Sequence, residues 1–313
     1  MKWSFSAARA FRQCQRSWFF KTSVANGRAK DELRREAYLL SKLQSVSGWR
    51  GGLVDRILSR DLVGALRARR KVSKAGLLAI AKSQFDRELA FALAHRIREA
   101  GFSPGDDECA AAFHAIEYGQ PVSEEEVAQA WHDVETAIEN LFKMERVRGT
   151  LKAAAYLVAQ RSLQFAFAGV TVVAVPDVIA FYDSAPPLIV DWKVQVTGSR
   201  DYRLQLALYA LALSRCKPHR DFPPSLCTVT PEDIRLLEAQ LLTGAEHEYV
   251  LTAADFEEIE DYIAASASEM LAARAGLGNG ELRPEDFAVT QWPDVCQRCG
   301  FRKICWEAVD GRA

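Results

Sequence analysis

Charged residues stand at the ends of two apolar runs in the segment "VPDVIAFYDSAPPLIVDWKV", residues 175–194. Asp177 follows the first run, and Asp191 and Lys193 close the second. An unpaired charge is costly to bury, so three charges at strand ends indicate a shared task. Two carboxylates suit a hard dication such as Mg²⁺ or Mn²⁺. With a lysine to orient a water or a phosphate, they predict phosphodiester hydrolysis. The simpler alternative is a buried Lys–Asp ion pair with a second aspartate in a turn.

Strand periodicity decides which of these side chains face each other. Residues i and i+2 point to one face of a strand, so Asp191 and Lys193 emerge together while Trp192 points to the other side. We expect Asp177 to end the preceding strand, and a link of about ten residues would let the two strands pair as a long hairpin. The two aspartates would then lie side by side, close to the lysine.

The rest of the chain predicts helices, then a strand meander, then helices. The first 150 residues are expected to be almost entirely helical, including one helix over 4–22, a breaker at 47–52 and a capping box formed by Ser123 and Glu126. Residues after 160 are rich in β-branched and aromatic types, with turns near Gly169 and Gly244. The fold class is therefore α/β.

Composition and charge bound the class of protein. The 313 residues are 49% hydrophobic and 26% charged, which is typical of a soluble globular protein. We find no apolar stretch near the length of about 18 residues that a membrane span needs and no secretory signal at residues 1–15, so we expect a cytoplasmic protein. Residues 1–100 contain 22 Lys/Arg and 8 Asp/Glu. This basic excess favours a polyanionic partner, unless the acidic remainder balances it within the fold.

The order of these motifs resembles that of a known enzyme family. Pro176-Asp177 followed by Asp191-Trp192-Lys193 resembles the motif of the PD-(D/E)XK nuclease superfamily, and Gln205 with Tyr209 resembles the Gln-xxx-Tyr element of its RecB-like branch. The resemblance implies a restriction-endonuclease-like mixed β-sheet core flanked by helices. It also implies a metal-dependent DNA nuclease. Its site residues would be two metal-binding aspartates (Asp177 and Asp191), a further oxygen ligand from the backbone carbonyl of Trp192, Lys193 acting on the attacking water, and Gln205 and Tyr209 positioning the strand.

Four cysteines form a second motif. Cys296, Cys299 and Cys305 make a C-x2-C-x5-C run, and Cys14 lies far upstream. Four thiolates can hold either a 4Fe–4S cluster or a tetrahedral Zn²⁺. RecB-branch nucleases of the AddB type place one cysteine before the core and three after it, and this resemblance implies that the four hold a 4Fe–4S cluster. The alternatives are Zn²⁺ and an unligated tail with free thiols. The remaining cysteines are interpreted as core or surface thiols: Cys109, Cys216 and Cys227.

One position departs from the family pattern. The family carries a histidine ligand in a Gly-x-x-x-His stretch on an N-terminal helix, and here Gly51 leads to Asp55. An aspartate can still bind Mg²⁺ or Mn²⁺ through oxygen, and we expect Asp55 to be a metal ligand. The alternative is a lapsed ligand that pairs with Arg56 or another base.

These expectations together predict four regions. They are an N-terminal segment with one cluster cysteine (1–30), a helical region that is basic in its first part (31–155), the nuclease core (156–250), and a helix with an iron–sulfur tail packed against the N-terminus (251–313). The basic stretch 67–71 would grip phosphates. The aromatic residues 18–20 would either stack on single-stranded bases or pack in the core.

The predicted activity is that of an exonuclease on single-stranded DNA or DNA ends, in repair, recombination, CRISPR adaptation or phage defence. No P-loop of the G-x-x-x-x-G-K-[ST] form occurs, so a helicase partner would be a separate chain. A catalytically impaired DNA-binding or assembly subunit of a nuclease–helicase complex is the alternative function. An RNA- or nucleotide-directed phosphodiesterase also stays open.

Overall fold

The computed structural model describes residues 1–99, 102, 110–194, 199–223, 229–275 and 282–309. Cys109, Cys227 and most of the predicted loop 101–107 lie outside these ranges. The strands are β1 (Lys2–Trp3), β2 (Tyr156–Ala159), β3 (Leu163–Phe167), β4 (Val170–Ala174), β5 (Val178–Phe181), β6 (Leu188–Lys193), β7 (Arg235–Gln240) and β8 (Ala245–Tyr249).

The α-helices are α1 (Phe5–Gln13), α2 (Gln15–Phe19), α3 (Glu32–Leu40), α4 (Val46–Arg56), α5 (Gly64–Arg67), α6 (Lys74–Leu93), α7 (His114–Glu117), α8 (Glu124–Lys143), α9 (Glu145–Ala153), α10 (Ser199–Arg215), α11 (Ala253–Ala272), α12 (Pro293–Gln297) and α13 (Arg302–Val309). Two π-helical segments, Phe20–Val24 and Ile57–Val63, continue α2 and α4. Short 3₁₀ turns occur at Arg96–Arg98, Pro231–Asp233 and Pro284–Asp286.

Two mixed sheets form the β-structure. The larger has the strand order β2-β5-β6-β7-β8, with β6 and β7 parallel and the other pairs antiparallel. The smaller has the order β1-β4-β3, with β1 parallel to β4. Helix α10 packs against β3, β4 and β6, and the π-helical segment 57–63 packs against β2. The predicted α/β class, a mixed sheet flanked by helices as in the restriction-endonuclease-like fold, is confirmed.

The hairpin that carries the aspartates differs from the prediction in one respect. Asp177 immediately precedes β5 and does not end the strand before it. Val178 pairs with Val190, so the antiparallel register places Asp177 opposite Asp191. Because the start of one antiparallel strand meets the end of its partner, Asp177 belongs at the beginning of β5. If both antiparallel strands ended on an aspartate, the two carboxylates would lie at opposite ends of the hairpin.

The predicted breaker at 47–52 is wrong, because α4 runs through it. Trp49 and Leu53, one helical turn apart, are both fully buried, and a side chain added at Gly51 would meet no atom within 4 Å. Burial of the Trp49 and Leu53 face outweighs the low helix propensity of glycine, about 1 kcal/mol per residue. The helical path continues through residues 57–63 to Arg67.

Other local predictions have mixed outcomes. The single helix over 4–22 is wrong, since Cys14 is extended and separates α1 from α2. The capping box is confirmed: the Ser123 amide donates to Glu126 and the Glu126 amide donates to Ser123 Oγ. Trp18, Phe19 and Phe20 are buried, so they pack in the core and present no stacking surface for bases.

The chain divides into two compact units, each discontinuous in sequence. The first contains residues 1–3, 50–85 and 128–265 and includes both sheets. The second contains residues 4–49, 86–127 and 266–313. Within the second unit, a cluster around Phe20, Leu40 and Phe301 joins the N-terminal helices to the segment that contains the three late cysteines. None of the helices among the described residues is long and apolar enough to cross a membrane.

Candidate active site and cysteine cluster

A pair of carboxyl groups lies where β5 begins and β6 ends. Asp177 and Asp191 lie opposite each other in the register of β5 and β6, and Asp177 Oδ2 accepts the amide of Trp192 at 2.9 Å. Burial raises the pKa of Asp191, and burial together with the charges of Asp191 and Asp55 raises the pKa of Asp177 well above its usual range. Asp191 Oδ1 is buried and has no hydrogen-bond partner among the described residues. A bound cation would therefore lower the electrostatic energy of this pair of carboxyl groups.

Lys193 lies at the centre of a chain of contacts. Its Nζ is 2.7 Å from Asp191 Oδ2 and donates to Gln205 Oε1 at 3.2 Å. Gln205 Nε2 in turn donates to the hydroxyl of Tyr209 at 2.6 Å. Burial opposes the charged ammonium, but the ion pair with Asp191 prevails and raises the pKa of Lys193. The Gln205 and Tyr209 side chains, one turn apart on α10, thus fix the position of a charged lysine.

Asp55 faces the same cluster. Its Oδ1 accepts hydrogen bonds from Trp192 Nε1 at 3.0 Å and from Gln160 Nε2 at 2.7 Å. Ser59 Oγ is a third donor to this oxygen, at 3.3 Å. The structure therefore brings Asp55 beside the aspartate pair, although its role as a metal ligand stays a prediction.

Gln160, at the end of β2, is a site residue that the sequence did not reveal. Its Nε2 bridges Asp55 Oδ1 and Asp177 Oδ1, the latter at 3.1 Å, and its amide donates to the carbonyl of Asp177 at 3.0 Å. Gln160 has a φ of 50°, in the left-handed region. No motif marks this residue, because its place depends on the pairing of β2 with β5.

Glu238 is a second residue that the sequence did not single out. It is 2% exposed and pairs with Asp191 in the parallel register of β6 and β7. The hydroxyl of Tyr249 donates to its Oε2 at 2.5 Å, and Gln240 Nε2 donates to its Oε1. The available signal was an acidic residue inside the apolar strand "RLLEAQ".

The donor set fits a hard dication. Asp191 offers a buried oxygen without a partner, and Asp177 lies beside it. The amide and carbonyl of one strand residue point to the same edge, so the carbonyl of Trp192 points to the edge on which its amide meets Asp177. Within the ranges given above, no three or more His, Cys, Asp or Glu side chains are grouped as a metal site. The candidate ligands are the carboxylates of Asp177 and Asp191 and the carbonyl of Trp192, and Asp55 stays a predicted further ligand.

The four motif cysteines line one cavity within the second unit. The cavity has a volume of about 20 Å³ and is lined by Cys14, Ser17, Phe20, Val289, Thr290, Val295, Cys296, Cys299, Phe301, Arg302 and Cys305. The Cys14 sulfur accepts the Ser17 amide at 3.5 Å, and Cys299 Sγ lies 3.7 Å from Ser17 Oγ. Residue 300 must be glycine, because a Cβ there would lie 2.8 Å from the carbonyl oxygen of Leu40.

A buried cation lies beside these thiols. Arg16 is 7% exposed, its Nε donates to the carbonyl of Phe287 at 3.2 Å, and its Nη1 has no partner among the described residues. Burial raises the pKa of Cys305 and of Cys299, and Arg16 opposes that rise at Cys305. The free Nη1 of this buried guanidinium would complement a negatively charged group beside the thiols. Among the described residues, however, these cysteines do not form a group placed to hold a metal ion.

Comparison with known proteins identifies the family. The family model of the PD-(D/E)XK nuclease superfamily matches residues 2–306. No curated protein matches the sequence. A crystal structure from Eubacterium rectale, provisionally described as an exonuclease, aligns with a TM-score of 0.45 and 14% identity over 94% of this chain and 86% of that chain. The crystal structure of SSO0001 aligns with a TM-score of 0.31 and 15% identity over 72% of this chain and 96% of that chain. Because both TM-scores are low, neither alignment contributes to the functional argument.

Proposed function

Because the chain belongs to the PD-(D/E)XK nuclease superfamily, which indicates a hydrolase acting on nucleic acid, we propose that it is a dication-dependent deoxyribonuclease that cuts single-stranded DNA or DNA ends. The observation that carries this proposal is the buried, unpartnered Asp191 Oδ1 beside Asp177 and the charged Lys193. A purely structural Lys–Asp ion pair would not require a second carboxyl group beside the first. Mutual repulsion of the two carboxylates is relieved when a cation binds.

Asp177 and Asp191 would hold Mg²⁺ or Mn²⁺, with the carbonyl of Trp192 as a further oxygen ligand. When bound, the ion supplies Lewis-acid stabilisation of negative charge on the scissile phosphate. The protein's own residues orient the reacting groups. The Lys193 ammonium, held by Asp191 and Gln205, donates hydrogen bonds to the attacking water or to a phosphate oxygen.

Gln205 and Tyr209 act through Lys193 in this proposal. Tyr209 is 6% exposed, and its hydroxyl accepts from Gln205, so its ring is not available to a DNA strand. We therefore assign both residues to positioning Lys193, in place of the direct strand contact that the resemblance implied. The extended strand would instead be held by exposed cations of the segment 67–71.

The proposal includes the 4Fe–4S cluster on Cys14, Cys296, Cys299 and Cys305, with Zn²⁺ as the alternative. Its support is the shared cavity and the unpartnered Arg16 nitrogen. A cluster there would join the N-terminal helices to the last described helix. We also propose that a helicase or another nuclease subunit is a separate partner chain.

Asp55 favours a second candidate function, a catalytically impaired subunit that binds DNA. Its Oδ1 is engaged by the ordinary donors Trp192 Nε1 and Gln160 Nε2, as in a structural aspartate. Such a protein would keep the fold and the cysteine cavity and would bind DNA without cutting it.

The deciding experiment measures cleavage of single-stranded DNA with Mn²⁺ by the wild type, Asp191→Ala and Lys193→Ala. Each substitution should lower the rate by about 10²-fold or more. Asp183→Ala is the matched control, because Asp183 is exposed and lies in the link at the other end of the same hairpin. Equal rates in all four proteins would end the catalytic proposal. Double-stranded DNA and RNA substrates in parallel reactions test strandedness and the RNA alternative.

A further inference from the structure

A cavity in the first unit lies apart from the aspartates and has a distinctive lining. Its volume is about 440 Å³, within the range of about 300–1,000 Å³ typical of small-molecule sites. It lies between the chain after α5 and the corner that joins α8 to α9. The lining residues are Leu62, Leu66, Arg70, Lys71, Val72, Leu141, Phe142, Arg148, Leu151 and Lys152.

The floor of this cavity is apolar and contains an aromatic ring. Leu62, Leu141 and Leu151 are buried, whereas Leu66 and Phe142 are partly exposed to the cavity and solvent. A flat aromatic ring among leucines suits the face of a nucleobase, since every base has a π-face that stacks on such a ring.

The rim of the cavity is cationic. Arg70, Lys71 and Lys152 are exposed, and within the described part of the chain none of them has an ion pair or a side-chain hydrogen bond. Arg148 is held in place by donation from its Nη1 to the carbonyl of Phe142 at 2.7 Å. No carboxylate lines the cavity. Three cations without counter-charges above an apolar floor complement a ligand that is flat and apolar at one end and anionic at the other.

We propose that this cavity binds one nucleotide, with its base against Leu66 and Phe142 and its phosphate between Arg70, Lys71 and Lys152. The inference that this nucleotide belongs to a DNA strand rests on the proposed function. A free mononucleotide would satisfy the same chemistry, and the experiment below separates the two sources.

The helix from Val46 to Arg67 relates the cavity to the active site. At about 1.5 Å per residue, Leu62 and Leu66 lie about 10 and 16 Å along this helical path from Asp55. A nucleotide held there would lie a few nucleotides along the strand from the scissile phosphate. The cavity would thus anchor the strand beyond the reacting bond and set the length of product that the enzyme leaves.

The test measures binding of a fluorescent single-stranded oligonucleotide of about 20 nucleotides by the full-length protein, without added divalent cation so that no cleavage occurs. The rim variant is Arg70→Gln with Lys71→Gln. The matched control is Arg28→Gln with Lys30→Gln, which removes the same charge from exposed residues outside both the cavity and the segment 67–71. We expect the rim variant to lower affinity about 10-fold and to reduce the salt slope of log K by about 1.4, at about 0.7 per phosphate contact. The control should change both much less.

A second arm tests the floor. An oligonucleotide with abasic sites should bind the wild type about 10-fold more weakly than the intact strand, and Phe142→Ala should remove most of that difference. Competition by a mononucleotide at micromolar concentration would identify the free nucleotide as the ligand, and competition only by longer strands would identify the nucleic acid. Equal losses in the rim and control variants, or equal binding of abasic and intact strands, would overturn the proposal.

The two proposals fail in different ways. If the rim variant binds the oligonucleotide more weakly than the wild type, but the wild type does not cut DNA with Mn²⁺, the nuclease proposal is refuted and the cavity proposal stands. A wild type that cuts with Asp191 dependence, together with rim variants that bind and cut normally, would refute the cavity alone.

Discussion

The substitution Asp177→Asn should make the metal-free protein more stable and should abolish its nuclease activity. The pKa of Asp177 is raised by burial and by the charges of Asp191 and Asp55, so ionisation of this carboxyl group costs more free energy in the folded protein than in the unfolded chain. A group with a raised folded-state pKa contributes stability below its unfolded pKa, about 3.9 for aspartate, and that contribution is lost as pH rises through the folded-state pKa. An amide of similar shape removes this cost.

The expected gain is about 1–2 kcal/mol at pH 7, in the range of other substitutions that relieve a strained functional site. We place it no higher because Asp177 is partly exposed and its carboxylate already accepts bonds from the Trp192 amide and from Gln160. In a protein of this size each kcal/mol raises Tm by roughly 1–2 °C. The wild type should lose stability relative to Asp177→Asn as pH rises from about 4.

The assay is thermal or urea unfolding of both proteins between pH 4 and 8, first with a chelator and then with Mn²⁺. Saturation with Mn²⁺ at about 100 times its Kd should stabilise the wild type by about 2.7 kcal/mol and the variant much less. Asp191→Asn is the matched comparison and should have the opposite sign, because breaking the buried ion pair with Lys193 costs about 3–5 kcal/mol. If Asp177→Asn were less stable than the wild type at every pH, Asp177 would be a structural residue and the argument for a cation site would fail.

Three further substitutions test separate parts of the structure. Cys299→Ser should lower Tm and remove iron, sulfide and brown colour from anaerobically purified protein, and an unchanged metal content would exclude the cluster. Asp55→Asn should raise the Mn²⁺ concentration needed for half-maximal activity by about 10-fold or more if Asp55 is a ligand, whereas a hydrogen-bond acceptor alone would leave it nearly unchanged. Ser123→Ala should cost about 1 kcal/mol in urea unfolding and leave cleavage intact, because it removes only the cap of α8; a loss of cleavage with unchanged stability would contradict that assignment.

Much of the fold could be predicted from local patterns. The hairpin of β3 and β4 around Gly169, the strand β6 and the capping box of α8 each depend on neighbouring residues, and all three occur as expected. The breaker at 47–52 failed because tertiary burial of Trp49 and Leu53 outweighed local propensity. The division of helix 4–22 at Cys14 also depends on distant partners, since the Arg16 amide donates to the carbonyl of Ala288.

In the candidate site, too, only the features that depend on local sequence could be predicted. Asp191 and Lys193 share a face because of strand periodicity, which is a local property. Gln160 and Glu238 enter the cluster through the pairing of β2 with β5 and of β6 with β7, respectively. A single sequence contains no local signal for which strands pair, so such residues become visible only in three dimensions.

The interleaved layout of the two units has a consequence for biosynthesis. All segments of the first unit have been synthesised once residue 265 is complete, whereas the second still lacks 266–313. Cys14 can therefore contact Cys296 only after about 280 further residues have been synthesised. The entropy cost of closing this loop is offset only by contacts that form late in folding. The nuclease core should thus be able to fold on the ribosome before the cysteine cavity exists, so that this cavity would be among the last parts of the protein to form.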